Sequence, residues 1–112
     1  MSFASSALIG HGLMLTLFAV YGLMLNPAKI LGAYGRDNGP VLRICGLWVA
    51  CAGMVSCYVG NYLESEHQQA ACWLLMVVHF IEVGLKFQAG RPKNAVGNTI
   101  LGVLLLAAIV VG

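Results

Sequence analysis

Charge is what this chain has least of. Asp and Glu number 4 and Lys and Arg 6 in 112 residues, 9% in all, against roughly 25% in soluble domains. The hydrophobic share is 60% and the mean hydropathy +0.86. A soluble fold of this length would have to hide that apolar surface inside a very small body, where burial is least efficient. A bilayer removes the difficulty. The net charge of +2 is too small and too localised to hold nucleic acid, so no nucleic-acid partner is expected. Catalytic signatures are missing as well. There is no H-E-x-x-H, no G-x-S-x-G and no phosphate-binding glycine loop, which leaves a non-enzymatic role as the expectation. The 4 cysteines, Cys45, Cys51, Cys57 and Cys72, form no C-x-x-C pair. In apolar helices such thiols behave as small hydrophobes, so no metal site is expected. Proline is limited to Pro27, Pro40 and Pro92, and these mark the few places where long helices must stop.

Four long apolar stretches, at about 3–25, 41–62, 68–87 and 94–112, are divided by those prolines and by the acidic turn between the second and third. Each approaches the ~20 residues a membrane span needs. No basic residue precedes the first stretch, so it reads as a retained span and not as a signal sequence. The fold class expected is therefore all-α: one integral membrane domain over 1–112, a four-helix transmembrane bundle with antiparallel, up-down topology.

The bases divide between two connections. Lys29, Arg36 and Arg43 lie in or beside the first, and Lys86, Arg91 and Lys93 in or beside the last. The middle turn carries Glu64 and Glu66 and no Lys or Arg. Positive loops resist translocation. Both basic loops are thus expected on a cytoplasmic, stromal or matrix-type side, with the N- and C-termini and the acidic turn opposite. Lys29, Arg36, Arg43, Arg91 and Lys93 would meet lipid head groups there. Ala28 to Tyr34 can form a short interfacial helix.

Within the second stretch Gly46, Gly53 and Gly60 recur every seven residues, with Ala50 between them. That spacing puts them on one helix face, where missing bulk lets another helix, or a flat ligand, come close. The third stretch holds His79, Glu82 and Lys86 on one stripe. Glu82 precedes Lys86 by four residues, the favourable order for an ion pair. Arg43 or Asn98 from adjacent spans can join that pair. Ionisable groups inside spans are costly and are the first functional candidates, so a proton-relay or substrate role for His79 and Glu82 stands beside the structural one. His11 lies between Gly10 and Gly12. Counting along helices from the acidic side, His11 is roughly 12 Å deep and His79 roughly 16 Å. Two imidazoles at similar depth can serve as ligands to chlorophyll or another tetrapyrrole, haem included, or as hydrogen-bond partners between helices. His67, at the acidic turn, is expected to be solvated.

The stretch Leu25-Asn26-Pro27-Ala28-Lys29-Ile30-Leu31-Gly32-Ala33-Tyr34-Gly35, followed by Arg43-x-x-Gly46, resembles the first loop and second span of the DoxX-like small four-helix membrane proteins. Arg43-Ile44-Cys45-Gly46-Leu47-Trp48 with His79-Phe80-x-Glu82 is similar to the four-span scaffold proteins of sterol C-4 demethylation, with a His-to-Glu spacing that differs by one residue. Both resemblances imply a compact four-helix membrane organiser, and neither supplies a catalytic residue. The function expected is an accessory subunit of a larger membrane assembly, such as a photosynthetic or respiratory supercomplex. Its partners would be lipids and other transmembrane subunits. The alternative is a small-molecule carrier or haem-binding redox protein using His79 and Glu82.

Overall fold

The structure, a computed structural model, describes residues 2–25 and 39–112. The described residues are helical throughout apart from short connections. Helix α1 covers Phe3–Leu17 and continues as a π-helical segment, Phe18–Met24. Helix α2 covers Gly39–Tyr62 and α3 covers Ser65–Gln88. A 3₁₀ turn over Pro92–Ala95 leads into α4, Val96–Val111. Four helices, Phe3–Met24, Pro40–Tyr62, Ser65–Gln88 and Pro92–Val111, are long and apolar enough to cross a membrane. At 1.5 Å per residue they measure about 30–36 Å, against a hydrocarbon core of about 30 Å. Lys29, Arg36, the interfacial helix expected at Ala28 to Tyr34, and nearly all of the loop stretch carrying the family resemblance lie outside the described residues.

The helix ends follow from local chemistry. Ser2 caps α1, its Oγ accepting the Ser5 N–H at 3.1 Å. Pro40 sits in the first turn of α2, where its missing N–H costs nothing. Only Leu63 and Glu64 separate α2 from α3. Glu66 then lies in the first turn of α3 and Lys86 in its last, each matching the sign of the helix dipole. At the far end Gly90 takes φ +72°. This left-handed residue lets Arg91 N–H reach Lys86 O at 2.9 Å and Gly90 N–H reach Phe87 O at 3.0 Å. Those two bonds make a Schellman closure, and Pro92 directly beyond it cannot extend the helix.

The chain divides into two compact units, Met1–Ile9 with Tyr58–Gly112, and Gly10–Cys57. In the first, Ala4, Ala7 and Leu8 of α1 form one core with Cys72 and Met76 of α3 and Leu105 and Ala108 of α4. The side-chain pairings of α3 with α4 and the 3₁₀ turn before it run Gln69 to Ala108, His79 to Asn98 and Lys86 to Asn94. Positions thus descend along α4 as they rise along α3.

In the second unit α1 meets α2 through small residues. Gly46, Ala50 and Gly53 are all buried. A Cβ placed on Gly53 would lie 2.7 Å from Gly12 O and 3.0 Å from Thr16 N, closer than any side chain tolerates, so this face is filled by another backbone. Gly60, the last glycine of the heptad series, belongs to the first unit. It is buried too, and its carbonyl accepts the Ser5 hydroxyl.

Candidate functional site

The buried polar residues are few: Ser5, His11, Ser56, Gln68, His79 and Asn98. No buried side-chain nitrogen or oxygen among the described residues lacks a hydrogen-bond partner. They fall into three groups, each tying helices together.

The largest group centres on Asn98 of α4. Its Oδ1 accepts the Lys86 ammonium. Its Nδ2 lies 3.0 Å from His79 Nδ1 and donates to Glu82 Oε2 at 3.0 Å. A lysine can only donate and a carboxylate accepts, so these two neighbours fix which end of the amide faces which way. Asn98 Nδ2 must then donate to His79 Nδ1, and the imidazole proton resides on Nε2. His79 Nδ1 is also 3.9 Å from Glu82 Oε1. Lys86 Nζ makes a further bond to the Asn94 carbonyl at 3.0 Å. The stripe His79, Glu82 and Lys86 does converge on one place, but the direct Glu82–Lys86 ion pair expected from the four-residue spacing does not form. Two oxygens, one in the 3₁₀ turn and one on α4, outcompete Glu82 for the ammonium, while Glu82 takes the Asn98 amide. Asn98, which the sequence offered as a partner for the stripe, joins it. Arg43 is exposed, and so is Lys93, whereas Arg91 is half-buried.

The second group pairs His11 Nδ1 with Ser56 Oγ at 3.0 Å. The third closes the end of α2. Gln68 Nε2 donates to Gly60 O at 3.1 Å and to Leu63 O at 3.0 Å, covering carbonyls that have no partner within their own helix.

Geometry bears on the tetrapyrrole reading. His11 is 0% exposed and His79 is 3% exposed, so a flat macrocycle meets no open imidazole face at either position. Gly12, beside His11, is covered by α2 backbone and cannot cradle a ring. His67 is exposed. The four cysteines are free, and no group of three metal-ligating side chains occurs among the described residues.

Gln68 and the pairing of Ser56 with His11 were not marked by sequence reasoning. Gln68 carried a usable signal: a carboxamide in the first turn of a helix, just after a two-residue connection, is placed to cap the helix before it. Ser56 lies on the small-residue face already evident from the glycine series, but nothing in its spacing assigns it to His11.

Comparison with protein-family models, curated proteins and solved structures gives no match. The functional reading therefore rests on the chain's own geometry.

Proposed function

We propose that this chain is a multi-pass integral membrane protein, an antiparallel four-helix bundle acting as a non-enzymatic accessory subunit of a larger membrane assembly. The supporting observation is its inverted polarity. The polar residues named above point inward, whereas large apolar side chains crowd the exterior, among them Trp48, Leu74, Tyr62 and Val110, each at least 70% exposed. Such a surface suits lipid or the apolar helices of neighbouring subunits. The inner polar groups are spent on one another and make interhelical ties in place of an open reaction site.

The basic connections would face a cytoplasmic, stromal or matrix-type compartment, with both termini opposite. Arg43, Arg91 and Lys93 would then touch head groups. Small polytopic subunits of this kind belong to photosynthetic and respiratory supercomplexes, and the DoxX-like resemblance favours an organiser in the same way.

The test is native-gel migration of the chain from its own membrane, with identification of what travels with it. Comigration with a large complex is expected, and a chain purified alone is expected to be colourless and without turnover. A self-sufficient oligomer with its own activity would overturn the proposal.

One observation favours a second reading. The Glu82 side chain is 42% exposed, as a carboxylate in a carrier or redox path would be. Transport lost in Glu82→Gln would support the carrier. A Soret band lost in His79→Ala would support haem.

A further inference from the structure

The same half-exposed carboxylate singles out one face of α3. Glu82 lies six residues before Gln88, the end of α3, about 9 Å along the helix axis. A 24-residue helix measures about 36 Å, so each end projects about 3 Å beyond a hydrocarbon core of about 30 Å. The Glu82 backbone is then about 6 Å inside the apolar layer. Helical side chains lean toward the N-terminus, which carries this carboxyl deeper and not out to the basic interface. The protein gives it one donor on Oε2, from Asn98 at 3.0 Å, while Oε1 is 3.9 Å from an imidazole nitrogen that is itself accepting a hydrogen bond. The nearest base on its own helix, Lys86, is committed to Asn94 and Asn98. A carboxylate held this way in hydrocarbon costs on the order of 3 kcal/mol, and among the described residues no lysine or arginine makes an ion pair with it.

Beside Glu82 runs a stripe suited to a second helix. Leu74, Val78, Ile81 and Leu85 are all exposed and recur at four, three and four residues, the spacing of a helix-packing seam. Glu82 lies next to Val78 and Leu85 on the same side of the helix.

We propose that this face of α3 docks a transmembrane helix of a partner subunit, which presents a lysine or arginine to Glu82. A second copy of this chain is a poor occupant, because parallel two-fold pairing through the stripe sets Glu82 against Glu82. A lipid ammonium lies at head-group level, above the carboxyl. The inference rests on the accessory-subunit reading and names the chemistry of its partner.

The experiment is competition in native membranes. A tagged variant is co-expressed with the wild-type chain, and the share of each in the large complex is read from native gels. Glu82→Gln retains an acceptor for Asn98 but loses the charge. Its share is expected to fall at least about thirtyfold, the low end for removing one member of a buried ion pair. Glu82→Lys should fall further, and Ile81→Ala should fall with the Glu82 environment intact. Glu64→Gln, in the acidic turn, should match wild type. The purified Glu82→Gln chain should keep its helicity and melting midpoint. Wild-type shares for both Glu82→Gln and Ile81→Ala would overturn the contact alone, as would a loss that tracks the melting midpoint. A co-purified aminophospholipid lost in Glu82→Gln at unchanged complex share would also overturn it. A wild-type chain that runs by itself would overturn the accessory reading, and this contact with it.

Discussion

Replacing Asn98 with leucine removes three hydrogen bonds at once, to Lys86, Glu82 and His79, while keeping the bulk of the side chain close. Interhelical hydrogen bonds within membranes average about 0.6 kcal/mol and reach about 1.7. Two of the three here involve charged groups, which strengthens them, and the buried His79 loses the donor to its Nδ1, a loss of about 1–3 kcal/mol. Lys86 is half-buried in the last turn of α3 and can turn outward, which limits the damage. A total loss of about 2–4 kcal/mol is expected from these terms. Asn98→Asp should be comparably harmful, since it sets an acceptor against Glu82 and His79 Nδ1. Combining Asn98→Asp with Glu82→Gln restores a donor–acceptor match at that contact. It should recover more than about 1 kcal/mol relative to additivity. Reversible unfolding of the purified chain in mixed micelles, followed by helical circular dichroism, measures all four variants. If Asn98→Leu falls within about 0.5 kcal/mol of wild type, the range of inert surface changes, the network contributes nothing and the reasoning fails.

Two further substitutions probe the remaining ties. Gly53→Ala forces a Cβ to within 2.7 Å of Gly12 O; the helices must separate, and a loss of about 1–3 kcal/mol is expected for such overpacking. Gly84→Ala, with no atom within 4 Å of its added Cβ, should be neutral or slightly stabilising, so thermal melting must rank the two in that order. Gln68→Leu uncovers the Leu63 carbonyl and leaves Gly60 O with Ser5 alone, and should cost about 1–2 kcal/mol. Gln68→Glu, which points a carboxylate at those carbonyls, should cost more in the same assay.

The extent of the helices was legible because it depends on run length and on breakers. The first stretch agrees with the structure to one residue and the others to within three, all bounded by proline, glycine or the acidic turn. The inward face of α2 was legible for a similar reason: glycines seven apart share one side of any helix. What was not legible depends on partners. Asn98 could be named as a neighbour of the Glu82–Lys86 stripe, but its bond to His79 and its place at the centre of the group follow only when α4 lies along α3. The same holds for Lys86, whose local spacing favoured Glu82 while two oxygens from the 3₁₀ turn and α4 held it instead. The π-helical segment Phe18–Met24 had no signal at all. It differs from an α-helix by one step in hydrogen-bond register, as in Leu25 N–H to Val20 O at 2.9 Å, and composition does not encode that step.

Everything functional above presumes that the chain crosses a bilayer four times with its bases on one side. Single cysteines introduced by Lys29→Cys, Lys93→Cys and Glu64→Cys, in a chain whose native cysteines are replaced by serine or alanine, test this in sealed, oriented vesicles with a membrane-impermeant thiol reagent. The account predicts that the first two are labelled from one face and the third only from the other. Labelling of Lys29→Cys and Lys93→Cys from opposite faces, or of Glu64→Cys from the same face as both, would contradict it.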